Sequence, residues 1–294
     1  MRYGILGGDY RNIELVKLLA KEKNIVYTYG LEKEIQKLES DNIIICNDIK
    51  ELQDTDIVIT AIPLSKDSIN INMPLGINGK KIKIDEALKI MGKKLVFTGS
   101  ISSEILRKFK LYNIEILDIM KNEKFAVLNA IPTVEETIKI IIANTKKVLH
   151  NTNCLIMGYG RIGKVLAKKL NGLSVNVDCL VSNNIEKTWS IVEGYNYIEF
   201  ENIKNKSDLL KKYDIIVNTI PKIILTEELK KIRKDTLIID LASKPYGIDR
   251  NIVKQENLNF IEALGLPGKS APITVAENMY EVIKNITLEK QKIN

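Results

Sequence analysis

Histidine is almost absent from this sequence of 294 residues: His150 is the only one. That scarcity excludes a histidine-built metal site and any dehydrogenase mechanism that needs an imidazole late in the chain. Cysteine is nearly as rare. Cys46, Cys154 and Cys179 stand far apart without a C-x-x-C pair, each in a segment rich in Ile, Leu and Val. Neither a disulfide framework nor a thiolate zinc site fits that spacing, and buried core thiols are expected. Long apolar runs are missing too; stretches such as 140–143 and 237–239 are far too short to cross a bilayer. The opening MRYGILGGDYR reads as a strand and turn rather than a leader peptide. A cytoplasmic protein with no membrane partner is expected. Charge of one sign is also lacking in bulk: 44 basic residues face 37 acidic ones, a net +7. The two signs interleave, as in Lys21-Glu22-Lys23 and around Glu228, Lys230 and Lys231. Solvated helix faces look like this, whereas a nucleic-acid surface needs a concentrated basic stripe.

What is present is a globular composition, 45% hydrophobic, patterned as alternating strands and helices. Strand-like runs fall at 3–6, 25–29, 43–46, 57–61, 95–98 and 114–117, with helical spacing over 13–21, 86–91 and 103–109. A second series starts near Asn153, with strands at 154–157, 175–180, 215–218, 237–240 and 259–263 and helices at 161–170 and 185–192. Strands alternating with helices mean βαβ units and parallel sheets. The expected fold is therefore α/β: two doubly wound parallel-sheet domains joined by linking helices, the second of Rossmann type. The first, residues 1–125, is read as a Rossmann- or flavodoxin-like substrate domain completed by a C-terminal helix at 273–294. The second, 126–272, includes a linking helix over 133–144. Pro132 before Thr133, with Glu136 three residues on, predicts a capping box at that helix start, its apolar stripe buried between the blocks. The stretch 64–83 is the longest candidate loop.

The strongest local signal is Gly158-Tyr159-Gly160-Arg161-Ile162-Gly163, placed directly after the strand 154–157 and opening a helix. In that context the first glycine permits a tight turn and the second admits a diphosphate to the backbone. The third lets the helix pack on the strand, while the helix N-terminus favours the anion. Dinucleotide binding is the reading. An NAD site usually ends its next strand in Asp or Glu, but here the tip is Leu180-Val181-Ser182-Asn183-Asn184, and Asp178 comes too early. Ser182 and Asn183 can donate to a 2′-phosphate and Lys187 can screen it, so NADP is preferred, with NAD as the alternative. Later strand ends complete the expected cofactor wall with Thr219, Ile220, Pro221, Leu241 and Ala242.

Taken in order, these segments resemble the A-subunit family of dipicolinate synthase. The resemblance adds Gly7-Gly8-Asp9 with Arg11, the run 97–102, the run 128–135, Asn218 to Pro221, the run 240–245, Leu266-Pro267-Gly268 and Ala271-Pro272. The second half alone is also similar to the dinucleotide domains of alanine and 2-hydroxyacid dehydrogenases. The resemblance implies oxidation of a dihydrodipicolinate-level substrate to dipicolinate with reduction of NADP. It also implies a partner, the flavoprotein-like B subunit, in the mother cell of a sporulating bacterium. This sequence departs from the family pattern at Ser182, where a basic residue is usual, at Tyr246, where a second glycine is common, and at Lys269-Ser270.

A small dicarboxylate substrate calls for cations and hydrogen-bond donors. Lys244 is the first candidate for a carboxylate contact and Arg11 the second, with Ser100, Asn129, Ser243, Gly265 and Pro267 as further substrate-binding candidates. Asp240 is the candidate proton acceptor and shares the catalytic assignment with Lys244. Ser102 and Ser103 read as helix caps, and His150 and Trp189 as structural and packing residues. Two alternatives stay open: a stand-alone 2-hydroxyacid or alanine-type dehydrogenase, and a dinucleotide-binding subunit without chemistry of its own. Homo-oligomer formation is open as well.

Overall fold

The computed structural model describes residues 1–77, 79, 81–205 and 207–293, so positions 78 and 80 of the candidate loop lie outside the described residues. The chain divides into two compact units, Met1–Asn129 with Pro267–Asn294, and Ala130–Leu266.

In the first unit β1 (Arg2–Leu6), α1 (Tyr10–Lys21), β2 (Ile25–Tyr29), α2 (Glu32–Ile35) and β3 (Ile43–Ile45) are followed by β4 (Ile57–Thr60). Then come α3 (Ile84–Met91), β5 (Leu95–Thr98), α4 (Ser103–Leu111) and β6 (Glu115–Asp118), and α5 (Glu123–Asn144) begins here and ends in the second unit. The six strands are parallel in the order β3-β2-β1-β4-β5-β6. Central strands such as Ile57–Thr60 are buried throughout, because helices cover both faces of a parallel sheet and leave only apolar β-branched runs stable there. One face packs Leu15, Val16 and Leu19 of α1 against Val275, Met279 and Ile283 of α11 (Pro272–Ile293), so the far end of the chain closes this core.

The second unit repeats the plan. Its elements are β7 (Asn153–Met157), α6 (Arg161–Gly172), β8 (Asn176–Val181), α7 (Asn184–Val192), β9 (Asn196–Glu199), α8 (Phe200–Asn205), β10 (Ile215–Asn218), β11 (Leu237–Asp240), α9 (Arg250–Gln255) and β12 (Phe260–Glu262), and α10 (Leu266–Ser270) follows in the chain. The order β12-β11-β10-β7-β8-β9 makes both sheets Rossmann sheets, with strand order reversing between β7 and β10 in the second. The expected α/β doubly wound architecture is thus present twice.

Three local expectations are corrected. Residues 133–144 do not start a helix at a capping box, because α5 has been running since Glu123 with Pro132 inside it. Glu136 instead pairs with Lys139 at 3.0 Å, and the Thr137 hydroxyl donates to the Thr133 carbonyl at 2.7 Å. The α5 stripe buries in the second unit's own core through Val134 and Ile141, while Ile142 is exposed. Finally, β9 is absent from the expected strands. It is an edge strand with one exposed and three half-buried residues, so its alternation is weak.

Candidate functional site

The turn after β7 is built on glycine geometry. Gly158 has φ +97°, and a Cβ there would lie 2.6 Å from Thr219 Oγ1. A Cβ on Gly163 would lie 2.0 Å from the Gly158 carbonyl oxygen, so α6 rests on the turn with no room for a side chain. Gly160 behaves oppositely: it is the N-cap of α6, makes no side-chain cap, and a Cβ there would meet nothing within 4 Å. The space it leaves opens into a pocket of about 680 Å³. Gly158 and Gly160, the tip of β8 with Ser182 and Asn183, the end of β9 with Glu199, and Thr219, Ile220 and Pro221 after β10 line it. All these lie at the carboxyl ends of strands beside the β7–β10 reversal, where an open α/β sheet binds its ligand. The anion-accepting turn and the roomy pocket fit a dinucleotide.

Other expected cofactor residues stand elsewhere. Tyr159 is buried behind the turn, edge-on to Tyr195 with ring centres 6.0 Å apart, and burial pushes its phenol above the ordinary value. Arg161 is exposed at the start of α6, and Ile162 packs against the core of the second unit. Leu241 also packs there, its N–H donating to the Asn218 carbonyl at 2.9 Å, and Ala242 is buried. These residues shape the turn and wall from behind.

The β8 tip differs from its expected chemistry. No acid follows the strand directly, yet Glu186, one turn into α7, folds its carboxylate back onto it. Glu186 Oε2 accepts from the Ser182 N–H at 2.8 Å and from the Ser182 hydroxyl at 3.0 Å. Asn183 caps α7 in turn, its Oδ1 accepting from the Glu186 N–H at 2.9 Å. Lys187 reaches Glu199 Oε1 at 2.6 Å, and that bond raises its pKa. Of the donors expected to greet a 2′-phosphate, those of Ser182 and Lys187 are therefore engaged with carboxylates, and Asn183 Nδ2 donates to the Ser182 hydroxyl oxygen at 3.1 Å. Glu186, Glu199 and Lys222 line the pocket without standing out in the sequence. An i to i+4 backfold from a helix onto the preceding strand tip has no one-line signature.

Asp240, the expected proton acceptor, is fully buried. It accepts from Asn218 Nδ2 at 2.7 Å, from the Ala242 N–H at 3.1 Å and from the Gly247 N–H at 3.3 Å. A carboxylate so enclosed shapes the loop after β11. On that loop Ser243 and Lys244 are exposed, and among the described residues Lys244 makes no ion pair. Gly265 faces open space with φ +65°.

In the first unit Arg11 is buried, its Nε and Nη2 on the Asp9 carboxylate at 2.9 and 2.8 Å and Nη2 also on the Ile62 carbonyl. It clamps the turn after β1 rather than offering a free cation. Ser100 is exposed, its N–H donating to Asp118 Oδ1 at 3.2 Å. Ser102 caps α4, its hydroxyl oxygen accepting from the Ile105 N–H at 3.3 Å. Asn129 is half-buried within α5, and Pro267 is a buried residue of α10. Trp189, read as a packing residue, is 46% exposed with Lys164 Nζ 4.8 Å from its ring centre. The cysteines are buried, and burial pushes the Cys46 and Cys179 thiols up to about 12. Among the described residues no cluster could hold a metal ion, and no helix is long and apolar enough to cross a membrane.

Comparison with known proteins divides along the same lines. Residues 2–120 match the family model of the N-terminal domain of the dipicolinate synthase A subunit, and residues 142–244 match that of the D-isomer specific 2-hydroxyacid dehydrogenase NAD binding domain. The chain is 24% identical over 293 residues to the A subunit of dipicolinate synthase from Bacillus subtilis, covering 99% of this chain and 97% of that one. Among solved structures it is similar to that of the Bacillus subtilis dipicolinate synthase A subunit, with TM-score 0.87, 24% identity and coverage of 100% and 98%. It is also similar to the dipicolinate synthase A subunit of Bacillus halodurans, with TM-score 0.85, 22% identity and coverage of 97% of each chain. A more distant likeness is to a transhydrogenase of Sinorhizobium meliloti, with TM-score 0.64, 11% identity and coverage of 97% and 93%. The second unit thus carries a nicotinamide-dinucleotide-binding domain of the dehydrogenase type, and the resemblance read in the sequence holds along nearly the whole chain.

Proposed function

We propose that this chain, similar from end to end to dipicolinate synthase A subunits, is an oxidoreductase that takes a dihydrodipicolinate-level substrate to dipicolinate during sporulation, beside a flavoprotein-like B subunit. The observation that carries the reading is the glycine turn at Gly158, Gly160 and Gly163 opening into its pocket beside the β7–β10 reversal. The backbone of that turn would hold the diphosphate, the β8 tip the adenosine ribose, and Thr219, Ile220 and Pro221 the nicotinamide side. When bound, a nicotinamide dinucleotide supplies an acceptor for the hydride that leaves the substrate ring. The remaining proton passes to solvent, and aromatisation drives the step, so the chain need only position the ring. Lys244, exposed and cationic, is assigned to a substrate carboxylate with Ser243 beside it. Asp240 and Arg11 drop out of the chemistry, both being held inside the fold. Of the donors behind the expected NADP preference, those of Ser182 and Lys187 are held by Glu186 and Glu199 and that of Asn183 by the Ser182 hydroxyl, so the reading covers either dinucleotide.

A stand-alone hydroxyacid dehydrogenase is the second reading, favoured by the match of residues 142–244. It is weakened by the position of the sole histidine: His150 is exposed and precedes β7, whereas the pocket lies past the ends of the strands. The deciding assay mixes an enzymatically generated dihydrodipicolinate source with NAD+ or NADP+ and follows absorbance of the reduced nicotinamide, with and without the B subunit. Turnover dependent on this chain is expected. Turnover of simple 2-hydroxy or 2-amino acids instead supports the second reading, and dinucleotide binding without turnover of either supports a non-catalytic subunit.

A further inference from the structure

We infer that Glu186 makes this chain select NAD(H) over NADP(H), an inference that rests on the dinucleotide reading of the second unit. A 2′-phosphate is bound where a strand tip offers free N–H and hydroxyl donors or a basic side chain. At the tip of β8 the Ser182 N–H and hydroxyl already donate to an anion supplied by the chain, the Glu186 carboxylate. A phosphate seeking those donors must displace that carboxylate or sit against its charge. The neighbouring cation offers no relief, since Lys187 is bound to Glu199 at 2.6 Å. With Glu201 also on the wall, the pocket sets three carboxylates against Lys187 and Lys222, a surplus of one negative charge.

The same arrangement suits an unphosphorylated ribose. Both Ser182 bonds fall on Glu186 Oε2. Among the described residues Oε1 accepts no hydrogen bond, so it is available to a ribose hydroxyl. Acceptance of ribose hydroxyls by a carboxylate at this strand tip is how Rossmann sites favour NAD. In this chain the acid comes from the following helix instead of from the strand. A purely structural role as a helix cap predicts no effect on the choice of dinucleotide, and this separates the two.

The test titrates the full chain with NAD+ and NADP+ by calorimetry, for the wild type and for Glu186→Gln, which keeps a carbonyl oxygen for Ser182 and so keeps the cap. Wild type is expected to bind NAD+ at least about tenfold more tightly than NADP+, and Glu186→Gln to narrow the gap by about tenfold, chiefly by tightening NADP+. Urea unfolding of both proteins confirms that α7 has survived, and competition by adenosine 2′-phosphate gives a second readout on the subsite alone. Equal or tighter NADP+ binding by the wild type overturns the inference while leaving the dinucleotide site in place. So does a Glu186→Gln variant with an unchanged NAD+/NADP+ ratio. Binding of neither dinucleotide overturns the inference together with the reading beneath it.

Discussion

Gly160 and Asp240 illustrate how differently two residues can serve one pocket. A side chain at Gly160 would meet open space and its backbone is ordinary, with φ −82°, so Gly160→Asp should fold as well as wild type. Asp is itself a good N-cap. Its charge and bulk would nevertheless stand where the diphosphate must lie, so dinucleotide affinity should fall by at least about a hundredfold in a calorimetric titration. Asp240→Ala should do the reverse. It leaves Asn218 and two backbone N–H groups without their acceptor, so urea unfolding should register a loss of about 3 kcal/mol or more. Lys244→Ala should raise KM for the dicarboxylate substrate and leave dinucleotide affinity alone. The glycines are legible in the sequence because each obeys a local steric rule. The burial of Asp240 and Arg11 is not legible there, because a charged residue at a strand end or helix start looks the same whether it faces solvent or, as here, is closed in by Asn218 or Asp9. Glu186 escapes notice because its carboxylate reaches backwards.

At the scale of elements, Asp214 ties β10 to its neighbour. Its carboxylate accepts from the Asn153 N–H that opens β7 at 3.0 Å and pairs with Lys147 and Arg233 at 2.8 and 2.9 Å. Burial opposes its charge, but these partners outweigh it and hold the pKa at about 2. Because the folded value lies below the unfolded one, the stabilisation is complete above the ordinary 3.8 and is lost as pH falls through about 2. Asp214→Asn should therefore cost on the order of 2 kcal/mol near neutral pH. The gap from wild type in urea unfolding should close across that acid window. Strands such as β4 and β10 are easy to read because each opens with three apolar β-branched residues and is buried along its whole length. The start of α5 is not, since Pro132 followed by Thr133 and Glu136 has the same local chemistry at a helix start as inside a helix already running.

For the whole molecule, the telling feature is that the first unit is assembled from both ends of the chain. Ile283 of α11 is fully buried, and with Val275, Ala276, Met279 and Val282 of the same helix it completes a core otherwise built from the first 130 or so residues. Ile283→Ala should cost about 2–5 kcal/mol, although it lies far along the sequence from every strand it supports, and thermal unfolding should show it. The amphipathic stripe of the last helix is legible in the sequence, but the pattern itself does not name the sheet it covers. An order of manufacture follows. A ribosome delivers the entire second unit before it delivers the helix that seals the first, so the front half must wait with part of its core in water until α11 has been made. A chain broken off before α11 carries that unsealed face, open to chaperones and proteases, while one that includes the helix hides it.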